Sequence, residues 1–507
     1  MVSVRWTQVK KLDTVDAFRE HCVELGIEIP LDDTVDPDGV LASPVEIRDG
    51  ASRVLTAPNR FAALPMEGWD GTDDGHPTDL VRRRWQRFGA SGCGLVWGEA
   101  TAVRADGRAN ANQLILDDRT VGEIAELRRL LDPTQITGLQ LTHSGRWSRP
   151  EGAPLPRTAY AHPLLDRRVG ADAQAVFSDD ELDQLAEDYI VSGVLAQQAG
   201  FDFVDVKHCH GYLLHELLTG YDRGGRFGGD LYGRTEFLRT VAGGLRERAP
   251  GLAIAVRLSA FDMVPFVPGG GGVGEPESVD PYRFAFGGDS SGVGIDLTET
   301  HQLLDLFASL GVGLVSTTAG SPYYNPHVQR PAFFPPSDGY RSPEDPLVGV
   351  ARQLAVTAEL TAAHRDLTIV GSGYSYVQDW LANVAQAVVA GGAAGAPAAG
   401  GDERHGHAVT DLPAPYGRAD RLDRARELVT GHVRQAHVGV VALPAVPVAA
   451  ADPGRPDPDH HPVDGRRRVR DGADLERSGV LLEDQGPHAS CSISWRAASV
   501  TEPDRDG

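Results

Sequence analysis

Lysine is nearly missing from this 507-residue sequence. It occurs only at Lys10, Lys11 and Lys207, while arginine supplies the remaining positive charge. Basic residues are also outnumbered, 48 against 71 acidic ones for a formal charge of −23. That balance argues against nucleic acid or an anionic membrane as the main partner and leaves small molecules. No apolar run approaches the roughly 18 residues of a membrane span, and residues 1–50 hold no signal-peptide core, so a cytoplasmic protein is expected. Cysteine is scarce as well. Cys22, Cys93, Cys209 and Cys491 lie far apart with no Cys-x-x-Cys pair. This pattern suggests neither a disulfide framework nor a zinc or iron–sulfur site, so no metal is expected. Self-association is left open.

What the sequence does contain is alternation. Short apolar runs at Arg60–Pro65, Gly94–Glu99, Ile136–Thr142, Phe203–Lys207, Ala253–Ser259, Gly313–Thr317 and Leu367–Gly371 read as strands. Each is followed by a stretch of helical period: Pro77–Ala90, Val121–Leu131, Ser178–Ala199, Thr235–Arg248, Leu297–Leu310, Val348–Ala363 and Val377–Val389. Ser178 and Glu181 have capping-box spacing, and Leu182, Leu185, Ala186, Tyr189 and Ile190 share one face. Repeated βα units predict a parallel sheet, and their number predicts a (β/α)8 TIM barrel over residues 51–390, preceded by an N-terminal extension over 1–50.

Two segments break the rhythm. Asp262–Gly294 is rich in Gly and Pro and leaves the end of the fifth strand; it reads as a lid or specificity loop, or as a disordered insertion. After Val389 the composition turns to Ala, Gly, Pro, Asp, Arg and His, with no Phe, Met or Lys. Residues 391–507 therefore read as an irregular, low-hydrophobicity tail, disordered or frame-shifted. The eighth βα unit is expected to be degenerate or missing, since Gly391–Gly401 offers nothing strand-like.

A barrel keeps its chemistry at the C-terminal ends of its strands. Here those ends read Pro65-Met66-Glu67-Gly68-Trp69, Glu99-Ala100-Thr101, Gln140-Leu141-Thr142-His143, Lys207-His208-Cys209-His210-Gly211-Tyr212 and Val256-Arg257-Leu258-Ser259. In this order and spacing the series, over about Pro58–Gly373, resembles the old yellow enzyme family of FMN-dependent NAD(P)H oxidoreductases, relatives of dienoyl-CoA reductases and trimethylamine dehydrogenase.

The resemblance implies bound FMN, with NAD(P)H as a transient reductant. Pro65, Met66, Glu67 and Ala100 would lie against the flavin, and Gln140 would bond its pyrimidine edge. Arg257 would stand beside the N1 and O2 atoms, where charge collects on reduction. Gly371, Ser372 and Gly373 match a phosphate-cradling loop whose Gly-Arg partner is absent here. His210 would hold a substrate carbonyl while Tyr212 delivers a proton beside it; Trp69 and Tyr323 are candidate substrate contacts.

Two positions depart from the family. Lys207 stands where a histidine is usual, either donating to an oxyanion or pairing with Glu67 or Glu99. Glu67 stands where relatives often carry threonine or cysteine. The expected activity is reduction of the activated C=C of an α,β-unsaturated carbonyl compound, with Tyr212, His210 and Lys207 catalytic. One alternative is FMN-dependent amine dehydrogenation or demethylation, favoured by Lys207 and by aromatics such as Trp69, Tyr323 and Tyr324. Another is a non-functional or merely flavin-binding product with a disrupted C-terminus.

Overall fold

The computed structural model describes residues 6–49, 54–279, 281–333, 339–394 and 409–410. After an antiparallel hairpin of β1 (Val45–Arg48) and β2 (Val54–Ala57) come the barrel strands β3 (Phe61–Ala63), β4 (Leu95–Val96), β5 (Ala100–Ala102), β6 (Ile136–Thr142), β7 (Phe203–Val206) and β8 (Ala253–Phe261). A second hairpin, β9 (Phe266–Pro268) and β10 (Gly274–Pro276), interrupts the series before β11 (Val312–Ala319), β12 (Thr368–Val370) and β13 (Val409–Thr410). The main sheet is parallel throughout, in the order β12-β11-β8-β7-β6-β4-β3-β13, with β5 beside β6. It forms a nearly closed TIM barrel.

Strands β6, β8 and β11 are buried along their whole length, as expected of a parallel sheet covered on both faces. Alternation sorts their side chains. Ala62, Leu95, Trp97, Phe203, Ala255, Leu314 and Val370 form one apolar cluster, while Val204, Val206, Ile254, Val256 and Val315 join the cluster shared with the helices. The first cluster also takes in Val45, Ile47, Leu55 and Ala57 of the β1–β2 hairpin. That hairpin plugs the bottom of the barrel; a Cβ on Gly313, at the start of β11, would overlap its Arg48 carbonyl. Helix 179–198 begins with the expected reciprocal capping box, Glu181 N–H to Ser178 Oγ (3.2 Å) and Ser178 N–H to Glu181 Oε2 (2.8 Å).

The eighth unit is degenerate, as expected: among the described residues it is a two-residue strand, β13, parallel to β3 with Val409 opposite Phe61 and Thr410 opposite Ala62. Two residues from the stretch read as irregular tail thus extend the barrel by backbone pairing, which tolerates almost any composition. Residues 395–408 and 411–507 lie outside the described residues. The Gly-rich insert, read as a lid or specificity loop or as a disordered insertion, is packed. Phe266 donates its N–H to the Tyr324 carbonyl (2.7 Å), and Tyr282 and Phe286 are buried. The insert packs on the loop after β11, beside the barrel mouth.

The residues before β1 are part of the core rather than an appendage. Val9, Leu12, Phe18, Cys22, Ile29, Leu31 and Leu41 belong to the main apolar cluster. Trp380 Nε1 donates to the Leu12 carbonyl (2.7 Å), and Asn383 Nδ2 to that of Asp32 (2.9 Å), tying the segment to the last described helix, Leu381–Ala394. Phe18 is fully buried against Trp380, ring centroids 6.0 Å apart. Phe18→Ala should therefore destabilise the chain by about 3–5 kcal/mol. Denaturant unfolding reads this directly, and a loss below about 1 kcal/mol would show that the segment is only loosely attached.

Candidate active site

Each of the strand ends singled out in the sequence arrives at the same end of the barrel, because parallel strands share their direction. Five of the side chains meet. Glu67, just beyond β3, accepts at Oε1 from Lys207 Nζ (2.7 Å), and at Oε2 from the Tyr212 hydroxyl (2.7 Å) and Trp69 Nε1 (3.0 Å). Tyr212 and Tyr323 hydroxyls lie 2.9 Å apart, and the Tyr323 ring stacks on Trp147 at 4.4 Å and 7°. Lys207 Nζ also sits 3.7 Å from the centroid of the Tyr212 ring. Of the two pairings open to Lys207, the structure shows the one with Glu67. Glu99 is taken by Arg84 (2.8 Å) and Trp85 Nε1 (2.9 Å).

Burial, then the nearby Glu67 charge and Tyr323, push the Tyr212 pKa well above the ordinary 10, so it stays a phenol. Trp69 reaches the cluster from a left-handed backbone (φ 51°), and the preceding Gly68 has no room for a Cβ, which would overlap the Arg84 guanidinium. His210 also has positive φ (63°). Its Nε2 faces Thr318 Oγ1 (3.3 Å) and Gln329 (3.5 Å), away from the Glu67 bonds. Burial, followed by the Arg257 and Lys207 charges and His215, lowers its pKa well below 6.5, so the imidazole is neutral.

Deeper in the barrel lies a second polar group that centres on Asp205 of β7. Asp205 Oδ2 accepts from Gln140 Nε2 (2.5 Å) and Trp97 Nε1 (2.8 Å), and Oδ1 from the Arg257 backbone N–H (2.7 Å). Burial raises the Asp205 pKa, while these donors, chiefly Gln140, oppose the rise. Sequence reasoning missed this residue. Its signal was there: one acid inside the otherwise apolar strand Phe-Val-Asp-Val. With its N–H2 bound below, Gln140 has its carboxamide oxygen left to offer. Ala100 is opposite Gln140 in the sheet, its carbonyl receiving Gln113 Nε2 (3.1 Å). Arg257 donates from Nη1 to the Pro65 carbonyl (2.9 Å), and its buried Nε has no partner among the described residues.

These groups fit the pyrimidine edge of a flavin: an acceptor at Gln140, a permanent cation at Arg257, and an orphaned buried N–H on that cation. Next to β12, Gly373 is left-handed (φ 94°), a Cβ on Gly371 would press on Tyr374 (3.0 Å), and Ser372 Oγ donates to the Thr317 carbonyl (2.8 Å). The Ser372 side chain is thus committed to β11. No group of three or more His, Cys, Asp or Glu among the described residues is placed to hold a metal ion.

Asp205→Asn would turn an N–H2 toward the Gln140 and Trp97 donors and force the Gln140 amide to flip. Given about 1–3 kcal/mol for an unsatisfied buried bond, affinity for FMN should fall roughly 5- to 150-fold. Equilibrium quenching of FMN fluorescence measures this, and an unchanged Kd would remove Asp205 from the site.

Comparison with known proteins agrees with the geometry. The model of the NADH:flavin oxidoreductase / NADH oxidase family matches residues 46–270. An NADH:flavin oxidoreductase of Gibberella zeae is 28% identical over 244 residues, 43% of this chain and 56% of its own. An NADPH dehydrogenase of Geobacillus sp. is 29% identical over 231 residues, 45% of this chain and 65% of its own. The chain thus spans between about half and two thirds of the length of these relatives. The solved old yellow enzyme homologue of Zymomonas mobilis aligns with a TM-score of 0.44 and 19% identity, over 67% of this chain and 83% of its own. FMN is the family's cofactor and NAD(P)H its reductant. Over residues 46–270 this chain is similar to the NADH:flavin oxidoreductase / NADH oxidase family, whose model matches that stretch.

Proposed function

We propose that the chain reduces the activated C=C bond of α,β-unsaturated carbonyl compounds, with NAD(P)H as electron source and FMN held by Pro65, Met66, Ala100, Gln140, Arg257 and the Gly371–Gly373 loop. The observation that carries this reading is Tyr212: a buried phenol, kept protonated, aimed into the cluster at the barrel mouth. Bound FMN supplies the hydride that the substrate's β carbon receives.

The protein's own residues supply the rest. Tyr212 gives its proton to the α carbon. A phenolate left in its place is disfavoured by burial and by Glu67, so a proton returns to it from solvent, relayed through the Tyr323 hydroxyl at 2.9 Å, which is a phenol again afterwards. Negative charge developing on the carbonyl oxygen is met by the Lys207 ammonium, and by the neutral His210 imidazole once it turns from Thr318 and Gln329. Arg257 would hold the pyrimidine edge of bound FMN, where a permanent cation favours the reduced cofactor.

Replacing Tyr212 with Phe removes the proton but keeps the ring under Lys207. Reduction of the flavin by NAD(P)H should continue nearly unchanged, while its reoxidation by an enone should slow by about 10²–10⁴-fold, the range for a positioned general acid. Stopped-flow absorbance separates the two half-reactions; equal slowing of both would make Tyr212 structural. In the wild type, reoxidation should be flat from about pH 7 to 9. Tyr212 is held protonated above this window and His210 is held neutral below it. A fall in rate there that disappears in Tyr212→Phe would contradict the assignment.

A further inference from the structure

A carboxylate among aromatic rings is the ordinary receptor for an organic ammonium ion, and the barrel mouth has one. Glu67 is surrounded by Trp69, Tyr212 and Tyr323, with Trp147 stacked behind. Yet a cation is already in place. Lys207 Nζ lies 2.7 Å from Glu67 Oε1 and 3.7 Å from the Tyr212 ring centroid, and its side chain is only 4% exposed. One carboxylate oxygen and one ring face are thus both met by one side chain of the protein.

We infer that Lys207 is a tethered counter-cation that determines specificity: it occupies the ammonium site, excludes cationic substrates and leaves the cluster open to uncharged or anionic ones. Tethering makes the exclusion strong. A group fixed on β7 competes at an effective concentration of about millimolar or more, and a free amine must first displace it from both Glu67 and Tyr212. A compact ammonium on a flexible stem suits this place, since it meets one carboxylate oxygen and one ring face. The inference deepens the proposed function and rests on it only in setting the substrate over Glu67.

Its test needs no turnover. Choline and its uncharged carbon isostere, 3,3-dimethylbutan-1-ol, are titrated into the flavin-loaded protein, with binding followed by ligand-observed NMR. The wild type should bind the alcohol at least as tightly as choline. Lys207→Met, which keeps an unbranched stem, should bind choline about tenfold or more tightly than the wild type does. That gain should vanish in Lys207→Met/Glu67→Gln. A wild-type preference for choline, no gain in Lys207→Met, or a gain that survives loss of the Glu67 charge would each overturn the inference. Should Lys207→Met fail to fold, the wild-type preference decides alone. Reoxidation of the wild-type flavin by an enone is measured separately: if it occurs while choline is preferred, the counter-cation fails and ene reduction stands.

Discussion

A carboxylate at the mouth of an apolar barrel must be compensated, and the way Glu67 is compensated sets much of the site. Glu67 follows β3 and Lys207 follows β7, two strands separated in the sheet by β4 and β6. Their 2.7 Å contact therefore spans the barrel mouth rather than joining neighbours. Attraction at an effective protein dielectric is worth a few kcal/mol, about the size of the desolvation it offsets. The pair adds little net stability, but neither charge can be left alone at that depth. Its consequence is geometric: with Oε1 committed to Lys207, Oε2 is available to fix the Tyr212 hydroxyl and the Trp69 indole.

Below this layer a second buried carboxylate must be compensated. Asp205 is the buried acid there, and it is satisfied by three donors rather than by an ion pair. One of them is the Gln140 amide; another is the backbone of Arg257, whose side chain is thereby set toward Pro65. In the proposed function the upper group serves proton delivery and the lower one the cofactor edge, and β7 and the residue after it contribute to both through Asp205 and Lys207, two positions apart. Side chains two apart on a strand point the same way, here along the barrel interior toward its mouth.

Much of this was legible in the sequence because it is local or periodic. The seven strands and the helices between them follow from apolar period, the capping box from Ser178 and Glu181, and the site residues from their place at strand ends. What was not legible depends on distant partners. Nothing in Val9–Leu41 says that it covers the helix 381–394, since its apolar residues lack a clean period and their partners lie some 350 residues away. Lys207 was ambiguous between Glu67 and Glu99 until Arg84 and Trp85 were seen to occupy the second. Strand β13 was invisible because a two-residue parallel pairing is made by backbone, which composition does not report. Asp205 was overlooked as one acid in a buried strand, although a buried acid is itself a sign of a built network.

The account stands on the barrel holding FMN between the Gln140–Arg257 edge and the Glu67 cluster. The most direct measurement is to denature the purified chain and identify what it releases. FMN stoichiometric with the chain is the result expected from an acceptor, a fixed cation and an orphaned N–H at one edge. Release of FAD, or a colourless supernatant from a folded protein that takes up no added FMN, would contradict it.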